Sequence, residues 1–205
     1  IGLLCPVALL AGKPTKPPAT SYSLVDLLGF PRESGLQSDA NAVSQTRVDG
    51  SFFVVGISIA ADLADHTALW TVASDGSFGG SPANLGEPGG DVGDVNDSGV
   101  VVARGYVFVP GLPTQTLPGT DSSGWAVNNL GQIVGGCRFD GQWCGAMWEL
   151  DEYGVPVGPI NLGPTFEPYD ISDTGVMAGQ DEDGVAAIAW FDGFGALQVQ
   201  SLGTL

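Results

Sequence analysis

The chain has 205 residues and is 43% hydrophobic, which excludes disorder and allows one core or a short array of repeats. It carries 23 acidic against 6 basic residues, a net charge of −17, and only Arg32, Arg47, Arg104 and Arg138 are basic after residue 20. That pattern excludes a cationic nucleic-acid surface and disfavours an anionic membrane surface, leaving a solvated, self-repelling exterior or a cation-binding one. The 32 glycines show no three-residue period, so collagen is excluded; they fall between short apolar runs, as many tight turns require.

Residues 1–12 are apolar and end in Leu10-Ala11-Gly12, small residues of the kind found near an export cleavage site. The stretch is too short to span a bilayer; a buried strand is the alternative reading. Residues 13–20 hold Pro14, Pro17 and Pro18 and read as an extended linker. The expectation is therefore an exported protein, extracellular or on the cell surface, with no membrane insertion of its mature domain. Its domain is residues 21–205.

That domain reads as four similar units of about forty residues, the period of repeat architectures. The clearest unit opens with Trp125-Ala126-Val127-Asn128-Asn129-Leu130-Gly131-Gln132-Ile133-Val134-Gly135. Two apolar runs flank a polar turn with glycine, which is a hairpin pattern. Ala42-Val43-Ser44 with Phe53-Val54-Val55-Gly56, Val95-Asn96-Asp97-Ser98-Gly99-Val100-Val101-Val102, and Ile171-Ser172-Asp173-Thr174-Gly175-Val176-Met177 match it. Each hairpin leads to a strand ending in an aromatic residue: Trp70, Phe108, Trp148 and Trp190, spaced 38, 40 and 42 residues apart. A fourth strand then runs to a Leu-Gly pair at Leu85-Gly86, Leu162-Gly163 and Leu202-Gly203, with Leu117-Pro118-Gly119 as the variant. A further pair, Leu28-Gly29, precedes the first unit. Four short strands per forty residues without helical periodicity point to an all-β β-propeller, whole or partial. The four aromatics are expected to be buried between repeats.

The pattern resembles the HAF-type extracellular repeat proteins of bacteria, carried by the segments around Asn128 and Asn96 and by His66-Thr67-Ala68-Leu69-Trp70. The resemblance covers about residues 22–205 and implies secretion and a propeller-like fold, with no assigned reaction. Only the first unit keeps the histidine; Cys144 and Ala186 stand in its place in the third and fourth units.

Three sets of residues are candidates for chemistry. If Asp140-Gly141 forms a two-residue turn, Cys137 and Cys144 face each other across a hairpin, within reach of a disulfide. Reduced thiols in a core are the alternative, and Cys5 stands apart. Asp94, Asn96 and Asp97 begin a calcium-like loop, but no acid follows Gly99 where a bidentate ligand belongs, and a tight turn needs the same residues. Asp181-Glu182-Asp183-Gly184 is a second acidic turn. Enzyme signals are thin: His66 is the single histidine, no Gly-x-Ser-x-Gly elbow occurs, and the carboxylates Glu149, Asp151 and Glu152 fall in an expected loop.

The sequence thus points to a secreted, non-catalytic module for binding or structural assembly, with no obligatory cofactor. Its alternatives are a calcium-stabilised carbohydrate-binding or adhesion module and a secreted glycoside hydrolase. The expected partners are extracellular polysaccharide and, through surplus terminal strands, further copies of the chain.

Overall fold

The computed structural model describes Leu27, Gly29, residues 38–86 and residues 91–203. The export and linker segments, Cys5 and most of the strand expected before Gly29 lie outside the described residues. Among the described residues there is no helix, and therefore none long and apolar enough to cross a membrane.

Sixteen strands form four antiparallel sheets of four, each built from consecutive strands. The first sheet holds β1 (Ser38–Val43), β2 (Phe52–Ile59), β3 (Asp65–Val72) and β4 (Ala83–Gly86). The second holds β5 (Val92–Val95), β6 (Val101–Ala103), β7 (Tyr106–Phe108) and β8 (Gln115–Thr116). The third holds β9 (Thr120–Val127), β10 (Gln132–Phe139), β11 (Gln142–Leu150) and β12 (Pro156–Gly163). The fourth holds β13 (Phe166–Ile171), β14 (Met177–Asp181), β15 (Ala186–Phe191) and β16 (Leu197–Ser201). These are the four units read from the sequence. β6 starts at Val101, because the Val100 amide is bound into the preceding turn by Asn96 Oδ1.

The sheets pack face to face in chain order. Between the first and second, Val55 meets Val101 and Phe108. Between the second and third, Val102 and Val107 meet Ile133, Ala146 and Trp148. Between the third and fourth, Val134 and Met147 meet Phe166, Met177, Ala187 and Ala189. Alternation along each strand supplies one face to each neighbour, so the middle sheets are apolar on both sides.

All four first strands carry a bulge at one place, three residues before the turn: at Asn41, Gly93, Trp125 and Tyr169. The Gly that closes the Val-Gly pattern sits beside it. A Cβ on Gly135 would lie 1.9 Å from the Ser123 carbonyl oxygen, and one on Gly179 2.0 Å from that of Glu167. In the first, third and fourth sheets the repeated glycine is therefore a packing requirement; the second sheet has Ala103 at that place.

Two expectations are corrected. Trp70, Phe108 and Trp148 are buried and stand opposite Val54, Val101 and Ile133. In the fourth sheet the residue opposite Met177 is Ala189, and Trp190 is only half-buried. The turn at Asp192 matches the turn at Asp151, yet Trp148 lies three residues before its turn and Trp190 two before. That one-residue slip sends Trp190 to the opposite face. Met177 and Phe166, both buried, supply bulk beside the small Ala189.

The second correction concerns the cysteines. The register is as expected: Cys137 pairs with Cys144 and Phe139 with Gln142, around a turn with positive φ at Asp140 and Gly141. The thiols, however, are free and buried. The Cys137 sulfur is turned toward β9, where it donates to the Thr120 carbonyl at 3.3 Å and would crowd a Cβ at Gly119. Cys144 donates along its own strand to the Gln142 carbonyl at 3.8 Å. The two act as small core side chains.

Candidate functional site

The turns that follow β1, β5, β9 and β13 converge on one cleft of about 320 Å³, lined from all four sheets. Four equivalent residues, Ser44, Asn96, Asn128 and Ser172, close these turns. Asn96 Oδ1 accepts from the Ser98 and Val100 amides, and Asn128 Oδ1 from those of Leu130 and Gln132. Ser44 and Ser172 do the same with one amide each, from Phe53 and Val176.

Asparagine has a second arm. Asn96 Nδ2 donates to the Asn128 carbonyl at 3.0 Å, and Asn128 Nδ2 to the Ser172 carbonyl at 2.9 Å. Asn129 adds to this ladder, donating through Nδ2 to Asp97 and Asp173 at 3.0 Å each. The second, third and fourth sheets are thus tied together through their turns. Ser44 and Ser172, with short hydroxyls, lack a donor arm long enough to do this; Ser44 donates to Gln45 next to it.

The calcium-like residues lie in this cleft and are engaged in it. Asp94 Oδ2 accepts from the Val127 amide at 3.1 Å; burial and the nearby Asp170 push its carboxyl above the usual range. Asn96 turns its oxygen onto its own turn. Asp97 Oδ2 accepts from Asn129, while its buried Oδ1 has no protein partner. Among the described residues no group of three or more His, Cys, Asp or Glu side chains is arranged to hold a metal ion.

The enzyme candidates are dispersed. His66 lies between Asp62 Oδ2, at 2.9 Å, and Asn84 Oδ1, at 3.1 Å. Glu149 belongs to β11, not a loop, and accepts from Gln132 Nε2. Asp151 and Asp181 each cap a turn by accepting two backbone amides.

A second surface was not singled out by sequence. Trp125 on β9, Trp143 on β11 and Tyr169 on β13 form a ledge across the third and fourth sheets. Ring centroids lie 6.3 Å apart for Trp125–Trp143 and 5.7 Å for Trp125–Tyr169. Trp143 is 38% and Tyr169 48% exposed. Beside Trp143 a pocket of about 550 Å³ is lined by two ion pairs, Arg104–Asp91 at 3.6 Å and Arg138–Asp121 at 2.9 Å. One signal was available: Trp125 and Tyr169 both stand three residues before a turn-closing residue, at the bulge.

No protein-family model matches the chain, and no curated protein matches it.

Proposed function

We propose that this chain is an extracellular, non-catalytic repeat module whose sheets are the blades of an open propeller and which works by binding at its surface. The observation that carries this reading is that equivalent residues of all four repeats line one cleft. A central cleft of that kind is where propellers present ligand-binding loops. The acids in it accept backbone and amide hydrogen bonds, an arrangement suited to holding blades together. The HAF-like pattern and the apolar residues 1–12 support the extracellular assignment.

The test is a panel of insoluble and soluble polysaccharides, scored both for retention of the protein and for release of reducing ends. Retention without release is expected; release would make the chain a glycoside hydrolase. Calorimetry with and without a chelator separates the calcium-stabilised alternative, which requires a lower melting temperature in chelator.

A further inference from the structure

We infer that the Trp125–Trp143–Tyr169 ledge, with the adjoining Arg104–Arg138 pocket, binds a neutral β-linked hexopyranose chain. The inference rests on the binding-module reading and names the ligand class and the place.

The rings are held in place, with Trp143 and Tyr169 exposed on either side of a half-buried Trp125. Trp125 Nε1 donates to Ser123 Oγ at 3.2 Å. The Tyr169 hydroxyl donates to Glu167 Oε2 at 3.0 Å, and Gln180 Nε2 donates to the same oxygen. Trp143 lies over Gly136, where a Cβ would come within 2.2 Å of the indole. Side chains so constrained lose little freedom on binding. None of the three belongs to the inter-sheet cores, which are filled by other residues. Large aromatics that a fold does not use and leaves open mark contact surfaces.

The pocket beside them specifies the ligand. It holds two of the chain's four arginines, each already paired with an aspartate, so it is neutral within a chain of net charge −17. Arg138 is fixed twice, by Asp121 and by the Gly141 carbonyl at 3.0 Å. Both partner aspartates adopt positive φ, 40° at Asp91 and 53° at Asp121. Such backbone is uncommon outside glycine, and it sets the two carboxylates against the two guanidiniums.

The combination matches one class of molecule. A hexopyranose with equatorial hydroxyls has apolar C–H faces that stack on aromatic rings. Its rim of hydroxyls donates to carboxylates and accepts from guanidiniums, which the two ion pairs offer side by side. Equatorial β-linkage keeps successive rings in a ribbon, able to pass from Trp143 over Trp125 to Tyr169, whose planes are tilted 39° and 40° to that of Trp125. A polyanionic glycan meets guanidiniums already neutralised and a negative surround. The pocket volume lies within the range of small-ligand sites.

The test uses the full chain. Tryptophan fluorescence and titration calorimetry are run with cellohexaose, laminarihexaose, a galacturonate hexamer and a proline-rich peptide, the last because such peptides also dock on aromatic grooves. Saturable binding of a neutral hexasaccharide is expected. Trp143→Ala and Tyr169→Ala should each weaken it on the order of tenfold or more, as anchor truncations do. Arg138→Gln should weaken it with melting temperature held, and Trp190→Ala should leave it unchanged. Saccharide binding of equal strength in Trp143→Ala and Tyr169→Ala overturns the ledge while the module reading stands. Binding of the galacturonate or the peptide alone overturns the ligand class. Absence of binding to any saccharide, soluble or insoluble, removes both.

Discussion

The third and fourth sheets share one repeat pattern and have different fates. The third is packed on both faces, and its Trp148 is completely buried. The fourth is packed on one face, and its tryptophan has slipped one residue along the strand to the other. A repeat motif specifies a four-stranded sheet; what becomes of an aromatic in it depends on the register.

The largest expected effect tests that contrast directly. Trp148→Ala should cost about 3–5 kcal/mol by denaturant unfolding, the range for aromatic truncation in a core. Trp190→Ala should cost less than about 1 kcal/mol. Equal costs would break the comparison, because they would mean that Trp190 is covered in solution.

Next are the bulge glycines. Gly135→Ala places a methyl group against the Ser123 carbonyl, and Gly179→Ala does the same at Glu167. Each should cost about 1–3 kcal/mol, as overpacking does. In both sheets the clash lies between the first and second strands of one sheet, at nearly the same distance, so the two costs should be alike. Urea melts of the two variants compare them.

The turn ladder provides a third contrast. Asn128→Ala removes the oxygen that accepts two turn amides and the donor to Ser172 and Gln132, and should cost about 1–2 kcal/mol. Asn128→Asp keeps the accepting oxygen and removes the donor, so it reads the bond to the Ser172 carbonyl together with the bond to Gln132 Oε1. Ser172→Ala, which loses a turn acceptor at the last repeat, should cost under about 1 kcal/mol.

Much of this architecture was legible in the sequence. Polar turns with glycine delimit the strands, and Asp140-Gly141 sets the register that brings Cys137 opposite Cys144. Register does not determine side-chain rotation, and the Cys137 sulfur found a carbonyl on β9 instead of its partner. The aromatic-to-aromatic spacing hides the Trp190 slip, because the residues between Trp148 and Trp190 mix loop and strand lengths. The distance back from the Asp151 and Asp192 turns, three residues against two, carries it. Of the aromatic ledge the sequence carries only the matching places of Trp125 and Tyr169, three residues before a turn-closing residue; its rings come from three strands in two sheets, and two of them sit at bulges. A bulge is a feature of paired backbones, and no residue type encodes it by itself.

The smallest effect concerns two carboxylates in one cleft with opposite shifts. Asp94, in the interior second sheet, is raised by burial and then by Asp170. Asp173, in the terminal fourth sheet, is exposed and lowered by the Asn129 amide and side chain. The signs follow from linkage. For Asp94 the folded pKa lies above the unfolded one, so its ionisation disfavours folding. That penalty is absent below the unfolded value, grows as pH rises toward the folded value, and is constant above it. Asp94→Asn keeps an oxygen for the Val127 amide and removes the charge, so it should be slightly more stable than the native chain at neutral pH. The gain should fade on acidification. Asp173 behaves the other way: its contribution is present above the ordinary carboxylate range and is lost as pH falls through its folded pKa. Asp173→Asn should therefore be less stable at neutral pH, and converge on the native chain in acid. Melting temperatures of both variants between neutral pH and the carboxylate range measure this. If the two curves bend in the same direction, the interior and terminal sheets do not differ in how they hold charge.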